Sequence, residues 1–307
     1  MTSLRVQMPE ALTEISARAF LAQHGISRTL WKRIKHSGTF QVNGESCIAG
    51  RTMLKDGDQV SYEVEHTSHI LPENLPLSIL YEDEALLIVN KPAGQLVHPT
   101  TQEHTGTLGN AVMAHYASRG ESHACHPVHR LDRSTSGLVL IAKLPQVQYL
   151  LTGRDGTKQF QREYLAVCEG TPEPASGLID APIARALPSI ILRKISPEGQ
   201  SARTHYETLE SRHGLSLLRL KLETGRTHQI RVHLSFLGHP LAGDELYGGS
   251  RELITRQALH AWHLYFRHPL TSKEINIYAP LPPDLLELIK QNGFSEAFAS
   301  EVSSKTF

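Results

Sequence analysis

A short apolar run behind a polar turn constrains this chain more than any other feature. Residues 137–143 read Gly-Leu-Val-Leu-Ile-Ala-Lys and follow a Ser-Thr-Ser turn at residues 134–136. A continuous apolar run of this length, bounded by turn residues, predicts a strand that is buried on both faces. Asp132 precedes the turn and lies between Arg130 and Arg133. We therefore expect a carboxylate at a sheet edge, kept ionised by its cationic neighbours, that is either a nucleophile or half of a structural ion pair.

The length and composition indicate an ordinary soluble protein of about two domains. The 307 residues are 40% hydrophobic and 20% charged with zero net charge, so only a local basic patch could indicate a nucleic-acid partner. Three widely spaced cysteines argue against a disulfide framework and fit a reducing cytosol. The sequence shows no signal-peptide pattern and no apolar stretch of membrane length. We therefore expect a cytoplasmic monomer without a membrane partner.

Residues 10–65 are expected to form a compact α/β module. The first predicted helix ends at Gly25 and has apolar residues at helical spacing: Leu12, Ile15, Ala19 and Phe20. Ser27 is expected to cap a second helix that runs through His36. A strand at residues 39–42 then turns at Asn43-Gly44, which is a strong hairpin signal. The closing strand is indicated by alternating apolar residues: Val60, Tyr62 and Val64.

The second helix of this module is basic. No acidic residue occurs between Gly25 and Gly44. The helix carries four cationic residues: Arg28, Lys32, Arg33 and Lys35. A single run of charge is often only a solvated helix face. The order of a Ser-Arg pair, a basic helix, a glycine and Val-Asn-Gly is similar to the S4-type RNA-binding module, which implies that these residues bind RNA.

The rest of the chain is expected to be one α+β domain. Residues 66–78 lack periodicity and contain Pro72 and Pro76, so they are interpreted as a linker. Residues 79–290 mix helices with strands around an antiparallel or mixed sheet. The strand candidates are residues 85–90, 137–143, 162–167 and 216–222. Residues 291–307 are rich in Ser, Ala and Glu and are expected to form a flexible tail.

Four ordered motifs carry a resemblance to a known family. His-Arg-Leu-Asp-Arg-Ser-Thr-Ser-Gly-Leu at residues 129–138 resembles the catalytic motif of the RluA-type pseudouridine synthases. Residues 80–94, 224–234 and 238–244 are similar to further segments of that family, in family order. The resemblance covers about residues 75–285 and implies an enzyme that converts selected uridines in structured RNA to pseudouridine. It also implies a flipped target base and neither a cofactor nor a metal.

A helix is predicted from Thr227 as N-cap to Gly238 as stop, with Ile230, Leu234 and Leu237 as its buried stripe. Arg231 shares a face with His228 and could be directed at Asp132. The resemblance implies that Arg231 pairs with the catalytic aspartate, and Arg226 in the same signature is the rival for that role. The same signature supplies the residues expected at the substrate: Arg226, His228 and Gln229.

Three further positions have both a functional and a structural interpretation. The resemblance implies that the target base stacks on Tyr164, that Leu259 packs beside the uridine, and that Arg130 fills the gap left by the flipped base. Tyr164 and Leu259 could equally be ordinary core residues, and Arg130 could be a structural partner of Asp132. Family members usually have lysine where this chain has Arg162, so the charge is retained. Asp244 lies in a Gly-rich turn and is interpreted as a turn residue.

Other classes of function remain open at this point. A metal site at His123, Cys125, His126 and His129 is disfavoured because a structural zinc would normally include a second cluster. A glycoside or nucleoside hydrolase would use Asp132 as nucleophile but needs a second carboxylate as acid. A non-catalytic RNA-binding or ribosome-assembly protein would retain the fold alone. If the chain is a pseudouridine synthase, the expected partner is ribosomal RNA, with transfer RNA as the alternative.

Overall fold

The computed structural model describes residues 2–7, 13–64, 68–153 and 158–295. In the described part of the chain an N-terminal module precedes a larger domain. The module's elements in chain order are β1 (Thr2–Arg5), β2 (Ile15–Ser16), α1 (Ala17–Gln23), α2 (Arg28–Ser37), β3 (Thr39–Val42), β4 (Glu45–Ser46), β5 (Met53–Leu54) and β6 (Gln59–Glu63). A four-stranded antiparallel sheet in the order β1-β6-β3-β4 packs its apolar side against both helices.

Local signals explain most of the module. The Ser27 hydroxyl accepts a hydrogen bond from the backbone N–H of Leu30, so α2 starts where it was predicted. Asn43 and Gly44 both have positive φ angles, of 53° and 84°, as a two-residue hairpin requires. The first helix was predicted too early: it begins at Ala17, and Ile15 lies in β2, which pairs with β5. Leu12, assigned to the same helix, lies outside the described residues.

The larger domain contains twelve strands and four helices among the described residues. The strands are β7 (Ile79–Glu82), β8 (Leu86–Lys91), β9 (His126–Pro127), β10 (Ser136–Ala142), β11 (Phe160–Glu169), β12 (Ser176–Asp180), β13 (Ile183–Arg185), β14 (Arg193–Ile195), β15 (Arg203–Arg212), β16 (Leu215–Leu222), β17 (Leu259–Arg267) and β18 (Glu274–Tyr278). The helices are α3 (Leu108–Ser118), α4 (Pro145–Thr152), α5 (Gln229–Phe236) and α6 (Pro283–Gln291). All four strand candidates are confirmed as β8, β10, β11 and β16, with ends shifted by up to two residues.

One large mixed sheet organises this domain, which confirms the predicted α+β class. Its strand order is β12-β15-β16-β11-β17-β10-β8-β7, with β18 beside β17 and β9 beside β10. Strand β10 runs antiparallel to β8 and parallel to β17. Gly137 allows the close approach of β10 to β17, because a Cβ on it would lie 2.1 Å from the carbonyl oxygen of Ala261.

Both faces of β10 are buried, as the apolar run predicted. Val139 and Ile141 face a core that includes α3 and α5, whereas Leu138 and Leu140 face a second core that includes α4. Every residue of β10 is buried. The strand therefore forms a fixed support for the loop that precedes it and contains Asp132.

The packed chain extends beyond both predicted boundaries of the larger domain. Ile70 and Leu77, in the segment interpreted as a linker, pack against the domain core, and the carbonyl of Leu71 accepts a hydrogen bond from Asn110. At the other end Phe294 is buried and the backbone N–H of Ser295 donates to Glu210. Phe294 and Ser295 thus contact the domain, while the flexibility of the tail stays a prediction. Residues 66–67 and 296–307 lie outside the described residues.

The N-terminal module rests on α4 of the larger domain. The Tyr62 hydroxyl donates a hydrogen bond to Gln146, and Leu150 packs closely against Gly25. A groove of about 250 Å³ runs between α2 and α4, and its lining includes Arg33 and Tyr149. Among the described helices, none is both long and apolar enough to cross a membrane.

Candidate active site

A cleft of about 1020 Å³ opens at the start of β10 and contains every residue of the larger domain that the sequence suggested for the site. These residues come from the loop before β10, from β11, from the start of α5 and from the start of β17: Arg130, Asp132, Tyr164, Arg226, His228, Gln229, Arg231 and Leu259. The carboxylate of Asp132 is 25% exposed. It is therefore fixed by its surroundings yet accessible from the cleft.

The loop that carries Asp132 is held from both sides by hydrogen bonds. The backbone N–H of Gly94 and the ammonium of Lys91 both donate to the carbonyl of Arg133, at 2.9 and 3.0 Å. On the other side Nη1 of Arg256 donates to the carbonyl of Ser134 at 3.1 Å. A catalytic group needs this kind of support, because small displacements of a reacting atom are costly.

Lys91 is completely buried beneath this loop. Its Nζ donates to three carbonyls, those of Pro92, Gln95 and Arg133, at 2.7, 2.8 and 3.0 Å. Burial lowers the pKa of Lys91 to about 7, against the opposing effect of the negative charge of Asp132. Only the protonated amine has three hydrogens to donate, so the geometry indicates a charged lysine.

Arg231 joins the accessible carboxylate to a buried one. Its Nε and Nη2 donate to the two oxygens of Asp244 at 2.7 and 2.8 Å, and its Nη1 donates to Oδ2 of Asp132 at 3.3 Å. Burial alone would lower the pKa of Arg231, but Asp244 and then Asp132 raise it overall. The guanidinium carbon also lies 4.9 Å from the ring centre of Tyr247. The rival Arg226 instead donates its Nε to the carbonyl of Ser201 at 3.0 Å.

The two arginines that flank Asp132 in sequence are not its ion-pair partners. Arg133 forms an ion pair with Glu103, 30 positions earlier in the chain. Arg130 is exposed, and its guanidinium has no hydrogen-bond or ion-pair partner among the residues that the structure describes. The expected pairing of Asp132 with these sequence neighbours was therefore wrong, and its ion-pair partner is Arg231.

His228 adopts a strained backbone conformation that places its ring beside Asp132. Its φ angle is 58°, in the left-handed region, directly before α5. Nδ1 is 2.8 Å from the hydroxyl of Tyr247, and Nε2 is 3.9 Å from Oδ2 of Asp132. Burial lowers the pKa of His228, and the charge of Asp132 opposes that shift. A neutral imidazole is therefore favoured near pH 7.

The prediction for α5 was partly wrong. His228, not Thr227, is the N-cap residue, and the helix begins at Gln229. Leu237 is 37% exposed, so two of the three predicted stripe residues are buried, Ile230 and Leu234, and Val232 is buried as well. The left-handed conformation of His228 changes the direction of the chain after Thr227, so Thr227 does not lie at the N-cap position.

Gln229 is buried, and its side chain holds the loop before α5. Its Oε1 accepts from the Thr224 hydroxyl and from the N–H of Arg226, at 2.8 and 2.9 Å. Its Nε2 donates to the carbonyl of Arg203 and to the Thr204 hydroxyl, at 3.0 and 2.9 Å. The predicted contact of Gln229 with substrate stays a prediction that this geometry does not favour.

Tyr164 and Leu259 form an apolar wall of the cleft. Tyr164 lies on β11, is 4% exposed and has Arg162 near its hydroxyl. Burial raises the pKa of this tyrosine, so it stays protonated at neutral pH. Leu259 begins β17 and belongs to the same core cluster. The two side chains are at once core residues and cleft residues, so the two interpretations drawn from sequence are compatible.

The histidines and the cysteine considered for a metal are not gathered into a site. Among the described residues, no group of three or more His, Cys, Asp or Glu side chains is arranged to hold a metal ion. His129 is buried and stacks on Phe160, and burial raises the pKa of the Cys125 thiol to about 12.

The comparisons with known proteins agree with this geometry. A family model described as RNA pseudouridylate synthase matches residues 85–236. The chain is 42% identical over 280 residues to an uncharacterised RNA pseudouridine synthase of Bacillus subtilis (YjbO), covering 90% of this chain and 99% of that protein. The chain belongs to the RNA pseudouridylate synthase family. It is thus a pseudouridine synthase, and the four motifs found in the sequence are correctly placed in that family.

Two further comparisons extend the match to this synthase. It is 37% identical to the ribosomal large subunit pseudouridine synthase D of Vibrio cholerae, covering 92% of this chain and 91% of that protein. The solved structure titled human RNA pseudouridylate synthase domain containing 1 matches with a TM-score of 0.56 at 27% identity, covering 69% of this chain and 87% of that one.

Sequence reasoning missed three side chains that build the synthase's site. Lys91 and Arg256 hold the Asp132 loop, and Tyr247 contacts both His228 and Arg231. Of these three, only Lys91 had a signal in the sequence, because it is a charged residue at the end of an apolar strand. Asp244 does lie in a turn, as expected, but it is also the principal partner of Arg231.

Proposed function

We propose that this pseudouridine synthase modifies uridines of large-subunit ribosomal RNA, as a cytoplasmic monomer, with Asp132 as the reacting group. The observation that carries the proposal is the accessible carboxylate of Asp132, 3.3 Å from the buried guanidinium of Arg231. The RNA class rests on the printed name of the Vibrio cholerae relative. No cofactor is required, because the reaction rearranges bonds within one nucleotide.

The reaction moves the ribose from one atom of uracil to another. The bond between C1′ of the ribose and N1 of the base breaks, the base rotates, and a bond from C1′ to C5 forms. The proton on C5 is lost and N1 gains one, so nothing is consumed. A base stacked in a helix hides its glycosidic bond, so the uridine must be flipped into the cleft. Asp132 then acts on either the ribose or the base.

The surroundings of Asp132 are suited to this work. Arg231 donates a hydrogen bond to Asp132 and so fixes the orientation of its carboxylate. Tyr164 offers an aromatic face on which the uracil can stack, and Leu259 closes the apolar side of the pocket. Arg130 has a guanidinium without a protein partner among the described residues, and we assign it to the space left by the flipped base.

The basic helix α2 is proposed to add RNA contacts, in the manner of an S4-type module. Arg28, Lys32 and Lys35 are exposed on it. Each phosphate contact releases counterions, so Arg28→Gln together with Lys32→Gln should weaken RNA binding and reduce its salt dependence. Equal salt slopes for the variant and the parent would show that this helix is only a solvated face.

Pseudouridine mapping tests the proposed function. Large-subunit ribosomal RNA is compared between cells that express the parent protein, the Asp132→Asn variant or neither. We expect defined pseudouridines to appear only with the parent. Pseudouridine loss confined to transfer RNA would overturn the choice of RNA.

The same preparations separate the other classes of function. Free uracil released from RNA would indicate a hydrolase. RNA binding without any modified nucleoside in single-turnover assays would indicate a protein that retains only the binding function.

A further inference from the structure

Three cations lie together on one side of the cleft, and none of them has a carboxylate partner in the part of the chain that the structure describes. They are Lys158, Arg162 on β11 and Arg226 in the loop before α5, and all three line the cleft. We call them the Lys158 cluster. Among the described residues, no Asp or Glu lies within ion-pair distance of any of them, whereas Arg133, Arg231 and Arg256 each pair with a carboxylate.

The cluster is tightly assembled around Gly225. A Cβ on Gly225 would lie 2.6 Å from Nζ of Lys158 and 3.0 Å from Nη2 of Arg162, so a larger residue here would displace both cations. Arg162 is only 4% exposed, and its Nη2 donates to the carbonyl of Thr224 at 3.3 Å. Its Nε is buried and has no hydrogen-bond partner in the described chain. This buried donor is costly unless something else accepts from it.

The electrostatics of the cluster favour an anionic ligand beside the three cations. Burial, followed by the positive charges of Arg162 and Arg226, lowers the pKa of Lys158 to about 7. His129 faces the same cations, and burial together with Arg162 and Lys158 lowers the pKa of its imidazole well below the usual range. Like charges held together in a partly buried place destabilise each other, and an anion between them would relieve this repulsion.

We propose that the Lys158 cluster is a subsite for a phosphodiester of the RNA strand next to the flipped uridine. The proposal rests on the proposed function, because it takes the strand that delivers the base as its ligand. Arginine and lysine are the side chains that most often contact phosphate. Arg162 also lies near the hydroxyl of Tyr164, so the proposed backbone contact is next to the proposed base-stacking residue.

Binding measurements with a charge-removing variant test the subsite. The probe is a fluorescein-labelled RNA stem-loop with one uridine in its loop, titrated with full-length protein at several salt concentrations. We expect Lys158→Gln to bind about tenfold more weakly and to lower the salt slope by about 0.7, the value for one phosphate contact on a single strand. Lys158→Arg should restore the slope. The matched control Lys273→Gln removes an exposed charge outside the cleft and should change neither quantity.

Neutral linkages identify the ligand atom. Methylphosphonates replace the linkages around the uridine, one RNA at a time. At one linkage we expect the parent protein to lose affinity and Lys158→Gln to lose none, because the partner charge is already gone. If no linkage shows this coupling while inorganic phosphate competes for the cluster, the site binds free anions and the proposal is overturned.

The pH dependence of binding is a second signature. A phosphate beside Lys158 favours its charged form, so affinity should fall as pH rises from 6 to 9 in the parent and fall less in Lys158→Gln. Equal pH dependence in both proteins would contradict the subsite. All of these readouts measure binding, so an absence of pseudouridine formation would count against the proposed function and leave the subsite to be decided by its own data.

Discussion

Arg231 and Asp244 form a buried bidentate ion pair that leaves one guanidinium nitrogen directed at Asp132. Two hydrogen bonds of 2.7 and 2.8 Å hold the arginine before any substrate arrives. The two carboxylates therefore have separate tasks. Asp244 fixes the arginine out of contact with solvent, and Asp132 receives the remaining N–H at the cleft.

Replacing Asp244 should damage the fold. Asp244→Asn leaves Arg231 with a buried, poorly compensated charge, and breaking a buried pair costs about 3–5 kcal/mol. We expect a lower melting temperature together with slower turnover per folded molecule. A variant as stable as the parent would show that the pair contributes little to folding.

Replacing Asp132 should damage the chemistry alone. Asp132→Asn keeps the shape of a side chain that is already 25% exposed, but it removes the charge. Pseudouridine formation should disappear, while melting temperature and RNA affinity stay near those of the parent. A single-turnover rate within tenfold of the parent would exclude Asp132 as the reacting group.

Tyr164 should contribute through its ring. Tyr164→Phe keeps the aromatic face, whereas Tyr164→Leu keeps an apolar side chain without it. Stacking of a base on an aromatic ring contributes about 1–3 kcal/mol, so only the leucine variant should lose that much RNA affinity. If the phenylalanine variant binds RNA but is inactive, the hydroxyl takes part in the reaction.

His228 should matter for rate more than for stability. His228→Asn retains a residue type that tolerates positive φ but removes the imidazole beside Asp132. We expect turnover at saturating RNA to fall about 10²-fold with little change in melting temperature. His213, an exposed residue with a φ of 50°, provides the matched control, since His213→Asn should change neither quantity. An active His228→Asn enzyme would limit His228 to substrate contact.

Acid stability should depend on a buried lysine outside the cleft. Lys143 is 3% exposed and lies 2.8 Å from Glu82 and 3.0 Å from Glu121. A hydrogen bond from Arg119, together with Lys143, lowers the pKa of Glu121 to about 2 from an unfolded value of 4.5. The unfolded chain therefore binds the proton more tightly, so this stability is present above pH 4.5 and is lost as pH falls towards 2.

Thermal unfolding across that pH range checks the sign. Glu121→Gln should be less stable than the parent at pH 7 and should lose less stability between pH 4.5 and 2. Glu198→Gln, at an exposed position, is the control and should follow the parent. Parallel curves for all three proteins would show that Glu121 does not carry the effect.

The sequence predicted the elements that depend on neighbouring residues along the chain. It did not predict the ion pairs between residues that are distant in sequence. The buried strand β10, the cap at Ser27 and the Asn43-Gly44 turn follow from local patterns, and all three are present. Arg133 was predicted to interact with Asp132 because the two are adjacent in sequence, but in the folded chain it forms an ion pair with Glu103. No local pattern places Asp244 against Arg231.

The start of α5 was missed for a different physical reason. A threonine before a helical pattern is a good cap, and nothing in the residue types reveals that His228 takes a left-handed conformation instead. Such conformations persist where the surrounding structure compensates for the strain, here through Tyr247 and Asp132. Strain of this kind marks a functional position that only the structure reveals.

The contact of the N-terminal module with α4 fixes the distance between the module and the active site. Val147 and Leu151 of α4 pack under β10, and the other side of α4 supports the module through Gln146 and Leu150. The distance from the basic helix α2 to Asp132 is thus set by packed side chains rather than by a flexible linker. An RNA that contacts both α2 and Asp132 must place its target uridine at a fixed distance from the contact with α2. The enzyme can therefore select a uridine by its position, without recognising the neighbouring bases.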